Sequence, residues 1–377
     1  MPGQCVLIVD DDPAITEVLS VTLERGGRKT IVCSDVEAAE VALERFPVTH
    51  LVSDVQFSGE FGFEGLHFLE RVRRLAPDCH VVLMTGNRNP ALHTEGLRHG
   101  AAAVLSKPFE IADLEQALGA TDESADGEPY DTVAIPTLEE ILRGDTVAMA
   151  FQPIVHIGET HVTTHGFEAL TRVRGRWLAG GPAMLFDYAE KRARLSDLNL
   201  LTLAHAIRSA AELPARAAIF INLDPLAFDR QELAGVIETA CAAAAIDPTR
   251  LVIEVTERSA FTNDVVAAEA FETLRRMGIR FALDDHGSAY SHLSLIDRIR
   301  PSYVKVSQTF GSDFETDASK GRIIRHTVAL ARDFGAETIL EGVETSATSQ
   351  AAIAAGVRLA QGFHFGHPRA ASHWRVH

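Results

Sequence analysis

The sequence is poor in cysteine, in long apolar runs and in basic charge, and each shortage excludes something. Its 377 residues hold four cysteines, Cys5, Cys33, Cys79 and Cys241. None forms a CxxC pair and each stands near apolar neighbours, which argues against a disulfide framework and for reduced, mostly buried thiols in a cytoplasmic protein. No apolar run reaches the roughly 18–20 residues of a membrane span. The first ten residues lack a basic stretch followed by an apolar core and cleavage site, so no signal peptide is expected. Lys and Arg number 35 against 52 Asp and Glu, a formal net charge of −17. That deficit opposes general binding to nucleic acid or to an anionic membrane surface.

What remains is ordinary globular composition, 46% hydrophobic and 23% charged, in a chain long enough for two domains. Residues 1–119 alternate short apolar runs with helical patterns. Strands are expected at 6–9, 30–33, 50–53, 80–84 and 103–105, with helices at 13–24 and 111–118 among those between and after them. Five such repeats imply a doubly wound parallel sheet. Residues 120–136 are polar and carry five acids (Asp122, Glu123, Asp126, Glu128, Asp131) and no Lys or Arg, the composition of a solvated linker. Residues 137–377 resume the alternation, with strands expected at 148–156, 161–170, 218–223, 251–255, 280–283, 303–306, 338–340 and 358–361. So many βα units in one segment fit a barrel better than an open sheet.

In a parallel sheet the functional edge lies at strand C-termini. Asp10 and Asp11 follow the first expected strand, Asp54 the third, Thr85 the fourth and Lys107 the fifth. Singly, each is as readily a solvated or capping group. Together they offer clustered oxygens for a hard cation, a carboxylate able to attack phosphorus, and a hydroxyl and ammonium to hold phosphoryl oxygens. The motifs IVDDDP (8–13), SDVQFSG (53–59), LMTG (83–86) and LSKPF (105–109) resemble those of response-regulator receiver domains. The resemblance spans residues 4–119 and implies a flavodoxin-like fold. It implies Asp54 as phosphoacceptor, one Mg²⁺ or Mn²⁺ held by Asp10, Asp11 and Asp54, and Thr85 and Lys107 sensing the phosphoryl group. A histidine kinase or phosphotransfer protein is the implied donor. Two features depart from the family: a lengthened stretch between Asp54 and Glu64, and Val104 where receivers usually carry Tyr or Phe. The second opens the expectation that the signal leaves by another surface, with the lengthened stretch after Asp54 as the candidate.

The later segment repeats the pattern with more acid. Glu168, Asn222, Glu254, Asp284 with Asp285, Lys305, Glu341 and Gln361 fall at or near successive strand ends, 20 to 54 residues apart. One barrel mouth can collect them. Five carboxylates facing one cavity repel unless cations neutralise them, and oxygen ligands select Mg²⁺, Mn²⁺ or Ca²⁺. The motifs FQPIV (151–155), FEALTR (167–172), INL (221–223), IEVTE (253–257), LDDHGSAYSHL (283–293), YVKVS (303–307), LEGVE (340–344) and QGFHFGHP (361–368) resemble the EAL family of cyclic-di-GMP phosphodiesterases. The resemblance implies a modified TIM-type β/α barrel and hydrolysis of cyclic di-GMP to linear pGpG with two ions, Mg²⁺ or Mn²⁺. It assigns the first ion to Glu168, Asn222, Glu254 and Asp284, and the second to Asp284, Asp285 and Glu341. Lys305 is implied to orient the attacking water, Gln361 to support the site, and Glu257 to brace the loop after Asp285. Gln152, Leu170 and Arg172 are implied substrate contacts.

Departures cluster in one loop and one strand end. His286 replaces a Phe, Ala289 a Gly, and Ser307 an Asp. They leave open an alternative in which the barrel binds cyclic di-GMP or a protein partner without turnover. A homodimer is expected, because the altered loop lies near the family's dimer surface. A DNA-binding regulator is not expected: no segment remains for a helix-turn-helix.

Overall fold

The computed structural model describes residues 4–55, 64–86, 90–119, 132–143, 146–158, 161–174, 181–256, 264–286, 296, 298–312 and 314–375. The chain divides into two compact units. The first comprises Met1–Thr146 and Val173–Ala193, and the second Val147–Arg172 and Arg194–His377.

In the first unit, β1 (Cys5–Val9), β2 (Lys29–Cys33), β3 (His50–Asp54), β4 (His80–Thr85) and β5 (Ala103–Ser106) alternate with α1 (Pro13–Arg25), α2 (Val36–Arg45), α3 (Glu64–Leu75), α4 (Pro90–Arg98) and α5 (Ile111–Leu118). The strand order is β5-β4-β3-β1-β2-β6, where β6 is Val133–Ala134, and every pairing is parallel. Strands buried on both faces read as continuous apolar runs, and Val6, Leu7, Ile8 and Val9 are all wholly buried. Two aspartates start helices. Asp12 caps α1 by accepting from the Ala14 amide at 2.9 Å, with Pro13 next at the first helical position, and Asp35 caps α2 by accepting from Ala38 N at 2.8 Å. Such caps satisfy amides that the helix leaves free.

Two features of this unit differ from the sequence reading. Strands β3 and β4 run one residue further than expected, so Asp54 and Thr85 are their last residues. The stretch expected as linker contributes β6 at its far end, paired with β2 through Ile31↔Val133 and Val32↔Ala134. Beyond it stand the short α6 (Leu138–Leu142) and, after an intervening pair of barrel strands, α7 (Pro182–Lys191), which packs within this first unit.

The second unit is a closed barrel. Its strands are β7 (Val147–Ile157), β8 (Val162–Val173), β9 (Ala218–Asn222), β10 (Leu251–Thr256), β11 (Arg280–His286), β12 (Tyr303–Val306), β13 (Glu337–Leu340) and β14 (Leu359–Gln361). Around the barrel the order is β10-β11-β12-β13-β14-β7-β8-β9. Strands β8 to β14 form one parallel run, and β7 closes the circle antiparallel to β14. One apolar layer crosses it: Ile154, Ala218, Phe220, Val252, Ala282, Tyr303, Ile339 and Leu359 pack as a buried cluster. Each of these strands has a side-chain period of two. The next inward position toward the mouth is therefore two residues on, or two residues back in the reversed β7. Those positions are Asn222, Glu254, Asp284, Lys305, Glu341, Gln361 and Gln152. On β8 the same register links Gly166 to Glu168. A Cβ on Gly166 would sit 2.6 Å from the Ala218 carbonyl oxygen and 3.0 Å from the Phe220 ring, so only glycine lets Phe220 fill that layer.

Candidate functional site

The first unit gathers its polar strand ends at one point. Lys107 Nζ donates to Asp10 Oδ2 at 2.6 Å and to Asp54 Oδ2 at 2.7 Å. Asp10 and Asp54 are buried, and Asp11 is exposed. Carboxylate oxygens of the three lie within 4.8 Å of one another, the only such cluster of acidic, His or Cys ligands among the described residues. Burial raises the Asp10 pKa, against the opposing hydrogen bond from Lys107. For Lys107, burial works against the charge, but the hydrogen bonds and charges of Asp10 and Asp54 prevail and hold it above the usual lysine range. Thr85 is buried at the end of β4, and its carbonyl accepts from the Lys107 amide at 2.7 Å. The clustered oxygens suit one hard divalent cation, with Asp54 beside it. Val104 is buried in β5, and Gly96 of α4 lies so close that an added Cβ would be 2.9 Å from Val104 Cγ2. The stretch 56–63 lies outside the described residues.

In the barrel the layer above the apolar cluster converges on Lys305. Its Nζ lies 2.8 Å from Glu341 Oε1, 3.0 Å from Glu254 Oε1, 3.2 Å from Asp284 Oδ1 and 3.3 Å from Glu168 Oε2. Lys305 is 1% exposed and Glu254 0%. Part of the neutralisation that the sequence reading gave to metal ions thus comes from this ammonium. The arrangement is one cation among four acids, so an excess of negative charge remains in low dielectric. Burial raises the pKa of Glu254 well above normal, helped by the charge of Glu168. Burial likewise pushes Glu341 up. Burial opposes the ionisation of Glu168 too, yet the Lys305 charge and hydrogen bonds from Gln361 and Asn222 hold it below the usual range. Those bonds run from Asn222 Nδ2 to Glu168 Oε1 at 2.9 Å and from Gln361 Nε2 to Glu168 Oε2 at 2.6 Å.

The donor set fits a hard cation. Every candidate ligand offers oxygen, and among the described residues wholly buried Glu254 has only the Lys305 ammonium, 3.0 Å from its Oε1, to serve its two oxygens. A buried carboxylate without donors is costly unless a charge serves it. Asp285 belongs to β11, but its side chain and that of His286 lie outside the described part. Glu257 and Ala289 lie outside the described residues altogether.

Beside this cluster opens a cavity of about 290 Å³ lined by Gln152, Glu168, Leu170, Arg172, Glu341 and Gln361, among others. The three residues expected as substrate contacts therefore line the same cavity as three of the site acids and amides. Gln152 is fixed from both sides: its Oε1 accepts from Gln361 Nε2 at 3.1 Å and its Nε2 donates to the Gly366 carbonyl at 3.2 Å. Sequence reasoning missed two contributors. Phe363 lines the cavity, is 51% exposed, and stacks on His367 with ring centroids 4.3 Å apart. The signal was an aromatic just after Gln361. Gly311 is the other: a Cβ there would overlap the Glu341 carbonyl oxygen, and no sequence pattern marks it.

Ser307, buried just after β12, starts the short helix α11 (Gln308–Gly311), its carbonyl accepting from Phe310 N at 2.9 Å.

The EAL domain model matches residues 136–368 and the response regulator receiver domain model residues 6–119. The chain belongs to the EAL family, with a receiver domain ahead of the EAL domain. It is similar to the cyclic di-GMP phosphodiesterase RocR of Pseudomonas aeruginosa, 26% identical over 98% of this chain and 97% of RocR. Other curated relatives are longer, and this chain spans 20% to 32% of their length. Among solved structures, the EAL segment is similar to the PaMucR phosphodiesterase in its c-di-GMP complex (28% identity, TM-score 0.53, 60% of this chain and 99% of that one). It is also similar to the manganese/cy-diGMP complex of Klebsiella pneumoniae BlrP1 (31% identity, TM-score 0.53, 60% and 57%). No described helix is long and apolar enough to cross a membrane.

Proposed function

We propose that this protein hydrolyses cyclic di-GMP to pGpG in its EAL domain, under control of phosphorylation at Asp54. The observation that carries the proposal is Lys305, buried among Glu168, Glu254, Asp284 and Glu341 at 2.8 to 3.3 Å, with Glu254 Oε2 given no hydrogen-bond donor. Glu168, Asn222, Glu254 and Asp284 would hold one Mg²⁺ or Mn²⁺, and Asp284, Asp285 and Glu341 the second. Bound there, the ions would supply Lewis acidity at a phosphodiester and lower the pKa of water. Lys305 can donate a proton of Nζ in a hydrogen bond to the attacking water while keeping the acids together. Gln361 and Asn222 fix the Glu168 carboxylate by occupying one oxygen each. Gln152, Leu170 and Arg172 line the cavity in which the dinucleotide would lie, and exposed Phe363 offers a flat face for a base. Water adds to one phosphorus and gives up a proton, the P–O3′ bond breaks, the released O3′ takes up a proton to become a hydroxyl, and the linear dinucleotide leaves with a 5′-phosphate.

In the receiver, Asp54 would take a phosphoryl group from a histidine kinase or phosphotransfer protein, with one divalent ion at Asp10, Asp11 and Asp54. We further propose a homodimer in the cytoplasm. The test is direct. The full chain is incubated with cyclic di-GMP and Mn²⁺, with and without beryllofluoride as a phosphoryl mimic, and the products are separated by chromatography. Accumulation of pGpG is expected. No product in either state, with cyclic di-GMP bound by calorimetry, would replace the enzyme with the binding module left open by Ser307 and Ala289. Sedimentation giving only monomer at high concentration would remove the dimer.

A further inference from the structure

We propose that α7 is the output element of the receiver, with Tyr188 as the positioning residue that ties the state of Asp54 to β8, the strand carrying Glu168, Leu170 and Arg172. The proposal rests on the function proposed above.

The contact is built. Tyr188 is 1% exposed, and its hydroxyl donates to Asp35 Oδ2 at 2.6 Å. A buried phenol aimed at a half-buried carboxylate is a specific contact, since the Tyr188 hydroxyl would otherwise be buried without this partner. Charge complementarity surrounds it. Helix α2 presents Glu37, Glu40 and Glu44, and the end of α7 presents Lys191 and Arg192. Arg192 Nη1 donates to Glu37 Oε2 at 3.1 Å, and Lys191 Nζ reaches Glu44 Oε1 at 3.2 Å and Glu40 Oε2 at 3.4 Å. Arg45 pairs with Asp187 in the opposite sense. Met184 and Leu185 of α7 are buried.

Each end of this contact leads to a site. On the receiver side, the Asp10 amide donates to the Cys33 carbonyl at 3.2 Å. Cys33 ends β2, and Asp35 follows two residues later. One Asp35 oxygen caps α2 through Ala38 N, and the other holds Tyr188. A change at Asp10 on metal binding or phosphorylation therefore acts on the backbone that sets Asp35. On the barrel side, β8 ends at Val173, and in sequence α7 is the next helix, residues 175–180 between them lying outside the described residues. The Arg174 amide donates to the Thr146 carbonyl at 2.7 Å as the chain enters it. Val104 stands where receivers usually carry the switch aromatic, and it lies buried close to Gly96 of α4.

Tyr188→Phe removes one hydroxyl and keeps the ring. Turnover of the full chain is measured with Mn²⁺, with and without beryllofluoride. The ratio of the two rates in the native protein is expected in about the five- to hundred-fold range of allosteric couplings. Tyr188→Phe should leave the rate without beryllofluoride near native and bring the ratio toward one. Glu37→Arg and Arg192→Glu should each lower the ratio, and the double exchange should recover it. Hydrogen exchange of residues 182–191 gives a readout free of turnover: beryllofluoride should change it in the native protein and not in Tyr188→Phe. Exchange that responds this way without any turnover would sink the phosphodiesterase reading and leave the coupling standing. A native response retained in Tyr188→Phe, or a native protein whose rate and exchange both ignore beryllofluoride, overturns the proposal.

Discussion

Gln361 Nε2 donates to Glu168 Oε2 at 2.6 Å across the barrel mouth, although β14 and β8 are not neighbours and the reversed strand β7 lies between them. The same amide nitrogen also reaches Gln152 Oε1 of β7 at 3.1 Å, so one side chain spans the three strands. Groups that orient a metal ligand typically matter 10–100-fold. Gln361→Ala should lower turnover and raise the Mn²⁺ concentration for half-activity by about 10–100-fold. A Mn²⁺ titration superimposable on that of the native protein would show that Glu168 needs no such support.

Lys305 is the common partner of four carboxylates. Lys305→Met fills the volume and removes the charge, leaving those acids to repel one another in a buried place. In EDTA the variant should lose about 3–5 kcal/mol of stability, the usual effect of breaking a buried pair. Mn²⁺ should return much of that loss while turnover stays undetectable. Urea unfolding in both conditions reads the effect; equal stability of variant and native protein in EDTA would mean the ammonium is not what holds the acids together.

Glu341 is placed by a backbone approach. Gly311→Ala puts a methyl group into the Glu341 carbonyl, and overpacking of this kind costs about 1–3 kcal/mol. Turnover should fall further than stability does, because Glu341 moves with its carbonyl. Gly235 in α9 (Leu233–Ala244) supplies the contrast, since a Cβ there meets nothing within 4 Å. Gly235→Ala should stabilise by about 0.5–1 kcal/mol and leave turnover alone. Similar losses in both variants would refute the placement argument.

His165 sets part of the acid limit of the barrel. Its Nδ1 faces His156 Nε2 and its Nε2 faces the Tyr303 hydroxyl, each at 3.0 Å. Burial, with the positive charges of His156 and Arg280, depresses its pKa to about 4. Below the ordinary histidine value near 6.5 the unfolded chain takes a proton that the folded barrel refuses. Stability tied to this group is therefore complete above pH 6.5, falls as pH drops toward 4, and is flat below. His165→Gln should make urea stability less steep between pH 6.5 and 4, and an unchanged slope would exclude His165 as a source of the acid sensitivity.

The positions of both sites were legible because strand ends are. Asp10, Asp54, Thr85 and Lys107 follow apolar runs that the sheet buries. Asn222, Glu254, Asp284, Lys305, Glu341 and Gln361 each stand two residues beyond an inward apolar residue, a period visible in the sequence. What the pattern could not give is what tertiary structure adds. Val133–Ala134 is too short to announce a strand and becomes one by lying on β2. Gly311 carries no signal, since the backbone it must admit comes from 30 residues later. Lys305 reads as a group for water, because its four acids meet only when the barrel closes. Tyr188 reads only as a residue of the later domain, and nothing in its neighbourhood names Asp35.

Strand β6 has a consequence for how this protein is handled. Two residues after the acidic stretch cover the outer edge of β2, and the Ile135 amide extends the ladder by donating to the Val32 carbonyl at 2.9 Å. An uncovered edge is a template for pairing with another chain. A receiver cut at residue 119 would bare the Lys29–Cys33 edge, with Ile31 and Cys33 in the strand. Proteolysis between residues 120 and 131 would do the same once the fragments separate. Residues 133–135 thus guard the receiver against self-association, and fragments ending before residue 135 should aggregate where those that include it stay dispersed.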